Sequence, residues 1–337
     1  MSDRLTFSDK LIAAIREKHS VLCVGLDPQL RFMPPHLVKS MRHTYGHDFK
    51  AICGVIIKFN QEIIKAIAPY AVAIKPQSAF YEPYGSLGIE ALEQTILFAR
   101  EAGLLVIMDG KRGDGGDTAE AYAQTYLGEV PSFAIESAGL RMTPSPLRSD
   151  ALTVYGQIGE AWIKPLLHQM KLHQTGAFVV VKTSFKPNSI VEQIVSQEGS
   201  IPNAVPQNGL PFWQELAHLV DQWGEGTEGV EHYRNLGVVM GATYPDDART
   251  MREILPNAWF LVPGYGAQGG GARDAVLGAN TDGLGIVVNS SRGIIYAYCD
   301  EKSPFKTLSE HFALAAERSA RAARDELNAA LQFAGKG

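Results

Sequence analysis

The run MDGKRGDGGDT, at 108–118, places carboxylates on both sides of a lysine. Asp109 and Lys111 are two residues apart, so on an extended segment their side chains point the same way. Asp114 follows within reach, and Gly110, Gly113, Gly115 and Gly116 permit an unusual backbone path between them. Flanking carboxylates favour the charged form of a lysine. A lysine held in that state can stabilise a developing carbanion and then protonate it. Taken alone, the run is equally compatible with a solvated turn and an ordinary ion pair.

A second group lies near the end of the chain, in LVPGYGAQGGG (261–271) and VVNSSRG (287–293). Gly264, Gly266, Gly269 and Gly270 can bring backbone N–H groups close to an anion. Arg292 offers a planar fork suited to a phosphate dianion. The spacing matches neither a Walker A nor a Rossmann fingerprint. Asp27, Lys75, Thr183 and Ser184 also follow apolar runs, although each alone could be a turn, cap or surface residue.

The elements that would position these groups are legible in the apolar runs. VLCVGL (21–26), AVAIK (71–75), LLVIMD (104–109), ALTVY (151–155), AFVVVK (177–182), LGVVMG (236–241), WFLVP (259–263) and GLGIVV (283–288) are nearly continuous apolar segments. Such runs fit strands covered on both faces, as in parallel sheets. Helical spacing occupies 50–68 and 86–102, with Ser86 as a plausible N-cap and Gly103 as a stop. Pro245-Asp246-Asp247 opens another helix ending near Pro256, and 307–333 is strongly helical. Eight strands alternating with helices predict an α/β fold, a (β/α)₈ TIM barrel forming a single domain over 1–337, with its core at about 20–300. The stretches 128–149, 185–210 and 224–235 are expected to be extended surface loops. In a barrel the active site lies at the C-terminal strand ends, with a phosphate site after strands seven and eight. Asp27, Lys75, Asp109, Lys111, Lys182, Thr183, Ser184 and Arg292 all fall at such ends.

Composition narrows the class. The 337 residues are 45% hydrophobic and 20% charged, with a net charge of −5, which leaves no general basic footprint for nucleic acid. Cys23, Cys53 and Cys299 are scattered, as expected of buried thiols in a reducing, cytoplasmic setting. The N-terminus is too polar for a signal peptide, and no apolar run reaches membrane-helix length. The nine histidines show no paired ligand spacing, so a metal site is not expected.

Seven stretches together resemble the orotidine 5′-phosphate decarboxylase family in its longer bacterial form. They are CVGLDP (23–28), KFNQEII (58–64), AIKPQSAFYE (73–82), DGKRGD (109–114), KTS (182–184), VPGYGAQGG (262–270) and NSSRGI (289–294). The resemblance implies a barrel homodimer that converts orotidine monophosphate to uridine monophosphate and CO₂ without metal or organic cofactor. It implies that Lys75, Asp109 and Lys111 are three members of a charged network. Asp114 would be the fourth, entering with Thr118 from the partner subunit. It further implies that Asp27 binds ribose, Ser184 contacts the pyrimidine, and Gln268 bridges pyrimidine and phosphate. Arg292 would bind phosphate, helped by backbone around Gly264, Tyr265 and Ser291. The chain departs from the family pattern at Gly110, Gly115 and Asp117, in TVYGQIG (153–159), and at Phe185-Lys186. Mg²⁺-dependent sugar-phosphate enzymes share an Asp-x-Lys-x-x-Asp run, but KPQSAFYE and AQGGG argue against that reading. A decayed nucleotide-binding protein is the other alternative, and the intact charged set argues against it.

Overall fold

A computed structural model describes residues 5–133, 139–187, 189–195, 209–266 and 270–337. The strands are β1 (Leu22–Leu26), β2 (Ala73–Pro76), β3 (Leu105–Arg112), β4 (Glu129–Phe133), β5 (Leu140–Pro144), β6 (Ala151–Val154), β7 (Gly176–Lys182), β8 (Leu236–Met240), β9 (Phe260–Val262) and β10 (Ile286–Ser290). Eight of them close into a parallel barrel in the order β1-β10-β9-β8-β7-β6-β3-β2. Each of the eight apolar runs contributes one barrel strand. β1, β2, β6, β7, β8, β9 and β10 are buried along their whole length, which explains why they read as continuous rather than alternating.

Two boundaries carry function. β3 runs past the expected Asp109 to Arg112, so the DGKR residues lie on the strand itself. β10 extends to Ser290, delivering Ser291 and Arg292 directly to the barrel mouth.

The helices at 49–67 and 245–254 fall where the spacing placed them. The helix expected from Ser86 begins one residue earlier, and Ser86 is not its cap. A 3₁₀ turn over Glu82–Tyr84 runs straight into the helix Gly85–Glu101 through Gly85 at φ +60°, leaving Ser86 in the first turn. Gly103, at φ +69°, does follow the helix end. The expected loop 128–149 contains an antiparallel hairpin of β4 and β5, joined across by a Ser132–Thr143 hydroxyl pair. It escapes a hydropathy reading because its side chains are mostly exposed or half-buried.

The barrel floor is closed by the helix Phe7–Lys18. Phe7 packs edge-on to Phe178 with ring centroids 5.8 Å apart, and the Ser8 N–H donates to Asn235 Oδ1. The terminal helix Phe312–Phe333 buries Ala315, Ala316, Ala320, Leu327 and Leu331 against the outer layer. One hydrophobic cluster extends from Phe7 to Leu331.

Candidate active site

The site is built around β3. Above Met108 and Leu152 the pairing of β3 with β6 slips, and it resumes at Arg112 and Val154. Asp109, Gly110 and Lys111 thus stand opposite Thr153 alone. Lys111 turns into the left-handed region at φ +45°, which a residue with a side chain enters at a cost of about 1–3 kcal/mol. This turn carries its ammonium group back over Asp109.

Asp109 lies between two lysines. Lys75 Nζ donates to Oδ2 at 2.5 Å and Lys111 Nζ to Oδ1 at 2.5 Å. Thr153 Oγ1 also donates to Oδ1, at 2.8 Å. The Lys75 and Asp109 side chains are 7% and 8% exposed, whereas Lys111 is 37% exposed. Burial alone would raise the Asp109 carboxyl, but the charges of Lys75 and Lys111 hold it far below the usual carboxylate range. Burial alone would likewise lower Lys75, but Asp109 and Asp27 raise it above an ordinary lysine. The site therefore contains a rigid buried ion pair with a more accessible ammonium at its edge.

Asp27 follows β1 on a turn pinned by two tyrosines. Tyr81 Oη donates to the Leu26 carbonyl, and Tyr296 Oη donates to the Asp27 carbonyl and accepts from Gln29 N–H. Asn60 Nδ2 in turn donates to Tyr81 Oη and to Thr95 Oγ1. The FNQ and FYE motif residues thus shape the turn from behind. Asp27 Oδ1 is buried with no hydrogen-bond partner among the described residues, as are Thr183 Oγ1 and Asn289 Oδ1. All three residues line the cavity.

The cavity occupies about 220 Å³ at the barrel mouth. At its far end Gly264, Tyr265, Ser291 and Arg292 come together. Gly264 sits at φ +98°, and Gly270 N–H donates to its carbonyl, folding the loop after β9 back on itself. Gly25 on β1 admits the neighbouring loop, because a Cβ there would lie 1.9 Å from Ser291 Oγ. Among the described residues Arg292 has no carboxylate partner, so its fork is available to an anion. Tyr265 offers backbone rather than its hydroxyl, which donates to Glu326 Oε2 at 2.7 Å. Three cations, Lys75, Lys111 and Arg292, face two carboxylates, Asp27 and Asp109, so the cavity favours an anionic ligand.

Asp27, Lys75, Asp109, Lys111, Ser184, Gly264, Tyr265, Ser291 and Arg292 all line this cavity. Gln268 lies outside the described residues. Asp114 and Thr118 do not line the cavity of their own chain. Asp114 Oδ1 accepts from Gly115 N–H at 2.7 Å, and Thr118 is exposed on the helix Gly116–Leu127. Lys182, expected at the pocket with Thr183 and Ser184, faces the other way. Its ammonium is fully buried behind β7, 3.2 Å from Asp247, 3.6 Å from Glu192, and over the rings of Trp213 and Tyr244. The physical reason is a break in strand alternation at β7: a register shift falls between the cavity-lining Val180 and Lys182, so the two no longer share a face.

Thr153 is a cavity residue that the sequence does not single out, whereas Asn289, at the head of the polar run ending the eighth apolar stretch, lines the cavity where that run points to a pocket. A polar residue inside the apolar run ALTVY was the available signal for Thr153. Arg112 explains its own place in DGKRGD from outside the cavity. It pairs with Glu82 of the FYE stretch at 2.6 Å and lies over the rings of Tyr122 and Tyr126.

Known proteins share this arrangement of chain. Residues 20–306 match the family described as orotidine 5′-phosphate decarboxylase / HUMPS. The orotidine 5′-phosphate decarboxylase of Rhodopirellula baltica is 36% identical over 334 residues, covering 97% of this chain and 99% of that protein. Its counterpart in Caldicellulosiruptor saccharolyticus is 35% identical over 294 residues, covering 87% and 90%. The solved structure of Leishmania donovani OMP decarboxylase aligns with a TM-score of 0.68 at 25% identity, covering 97% of this chain and 98% of that one. Leishmania donovani UMP synthase aligns at 0.70 and 26% identity, over 97% of this chain and 57% of that one. The family match begins before β1 and ends beyond Arg292, so it encloses every cavity residue described above, and the chain belongs to the orotidine 5′-phosphate decarboxylase / HUMPS family.

Proposed function

We propose that this protein decarboxylates orotidine 5′-phosphate to uridine 5′-phosphate and CO₂, a step of pyrimidine biosynthesis, with Lys111 as the proton donor. The observation that carries the reading is the Lys75–Asp109–Lys111 array, with 2.5 Å contacts, in one cavity with Arg292, which has no carboxylate partner among the described residues. The relatives named for this reaction add independent support.

In this reading the phosphate lies against Arg292, Ser291 and the Gly264–Tyr265 backbone, with Gln268 between phosphate and pyrimidine. Asp27 takes a ribose hydroxyl and Ser184 the pyrimidine edge. Breaking the bond from C6 to its carboxylate releases CO₂ and leaves an electron pair on C6 in the ring plane, where no conjugation disperses it. The Lys111 ammonium stabilises that pair and then transfers a proton to C6, and solvent later reprotonates Lys111. Asp109 keeps both lysines in place and lies near the departing carboxylate. Preorganised charge of this kind acts without reorganisation cost at the moment of reaction. Phosphate binding, remote from C6, contributes by fixing the pyrimidine against the array.

The protein acts as a cytoplasmic homodimer in this proposal, with Asp114 and Thr118 entering the partner's cavity. Supporting this, the Asp114 loop is flanked by Tyr155 and Ile158, which are 41% and 46% exposed. Hairpin residues Phe133 and Leu140 are also exposed. No metal is required in the proposal.

The test is an ultraviolet assay of orotidine 5′-phosphate loss, run with and without a chelator. Turnover undiminished by the chelator is expected. Lys111→Ala should lower kcat by at least about 10³-fold, while the circular dichroism spectrum stays that of the wild type. Wild-type-like turnover by that variant sinks the mechanism. Turnover abolished by the chelator points to a Mg²⁺-dependent sister chemistry instead.

A further inference from the structure

We infer that Thr153 is a positioning residue for the reaction, a hydroxyl clamp that sets the Lys111 ammonium against Asp109. The inference rests on the proposed decarboxylation and deepens it. Its basis is the slip between β3 and β6.

A parallel ladder normally satisfies each backbone N–H from the neighbouring strand. At the slip, Asp109, Gly110 and Lys111 share one residue opposite, so the regular bond to Lys111 is lost. Thr153 replaces it with its side chain, because its Oγ1 accepts from Lys111 N–H at 3.1 Å. The same oxygen donates its own proton to Asp109 Oδ1 at 2.8 Å. Oδ1 is also the oxygen that Lys111 Nζ contacts. One hydroxyl thereby closes a ring that runs from the Lys111 backbone through Thr153 to Asp109 and back to the Lys111 ammonium.

The ring holds two features that would otherwise relax. Lys111 is left-handed at φ +45° in a chain position that has no glycine. Asp109 could rotate to favour Lys75 alone, which would free Lys111 into solvent. Thr153 is 1% exposed, so water has little access to substitute for its hydroxyl. It lines the cavity, but the array's geometry assigns it to Lys111 and Asp109 rather than to a ligand. A valine has nearly the same shape and neither hydrogen bond. A serine keeps both.

Three variants decide the matter: Thr153→Val, Thr153→Ser and, in case the valine variant does not fold, Thr153→Ala. Steady-state kinetics with orotidine 5′-phosphate and calorimetric binding of uridine 5′-phosphate are measured for each. Thr153→Val, or Thr153→Ala in its place, should lose roughly ten- to a hundredfold in kcat, the range for a hydrogen bond to a charged group. KM and product affinity should stay within about twofold, because the phosphate and ribose contacts are untouched. Thr153→Ser should recover most of kcat. Unchanged kcat in the valine or alanine variant overturns the inference, as does a loss of product affinity in proportion to kcat. So does a serine variant no better than valine. Those results leave wild-type turnover standing, whereas a wild-type chain with no turnover overturns the proposed reaction and this inference together.

Discussion

At the residue scale, the Lys75–Asp109 pair is a stability risk as well as a part of the proposed catalytic array. Both side chains are buried, so removing one leaves the other as an uncompensated charge. Asp109→Ala should destabilise the fold by about 3–5 kcal/mol in urea titrations at neutral pH, and Lys75→Met in the same chain should restore most of that loss. The pH dependence follows from the two shifts. Asp109 is depressed in the folded state, so its contribution is complete above the ordinary carboxylate value of about 4 and fades as pH falls below it. Lys75 is raised, so its contribution is complete below the ordinary lysine value of about 10.4 and is lost as pH rises beyond it. Between about pH 5 and 9 the pair should therefore add no slope to stability. Cys23 takes no part in this range, since burial pushes its thiol up to about 12. The identities of Asp109, Lys111, Lys75 and Arg292 were legible in the sequence, because charged residues at the ends of apolar runs are conspicuous. Thr153 was not, since a threonine in a β-run is also an ordinary strand former.

At the element scale, the site depends on how consecutive loops grip one another. Tyr296 closes the short helix Arg292–Ile295 and bonds the Asp27 turn at two points, so the Arg292 end and the Asp27 end of the cavity are joined by one phenol. Tyr296→Phe removes both bonds while keeping the packing with Phe32 and Phe59. We expect it to weaken uridine 5′-phosphate binding by about five- to tenfold in calorimetry, with a smaller change in kcat. An unchanged affinity would show that the two ends are held independently. The strands themselves were legible because burial on both faces makes them continuous apolar runs. The hairpin of β4 and β5 was not, for it leaves Phe133, Leu140 and Met142 exposed beside Pro131 and Pro144. The direction of Lys182 was also hidden, because a register shift decides it and periodicity cannot report a shift.

At the scale of the whole molecule, one chain supplies most of the proposed site and withholds two members. Asp114 was legible as a carboxylate near Lys111, but its service to a partner chain, like Thr118 altogether, was legible only through family resemblance, since nothing in the local sequence says which chain they serve. If they serve the partner, two inactive variants should complement each other. Mixing Lys111→Ala with Asp114→Ala chains after dissociation and reassembly should create one intact site in each mixed dimer. Statistical assortment then gives about a quarter of wild-type activity, and activity no higher than either parent alone excludes the shared site.

The barrel is also a ring with a seam, where β1 meets β10 through pairs such as Leu22 with Val288. Asp27 stands on one bank of that seam, and Ser291 and Arg292 on the other. One of the two partners of the first strand, β10, is therefore made almost last during synthesis, and a growing chain has no place for the nucleotide until the ring shuts. Once it has shut, a ligand reaching from Asp27 to Arg292 acts as a staple across the join. The cell's own nucleotide pool would then favour the closed ring over its opened intermediates by mass action.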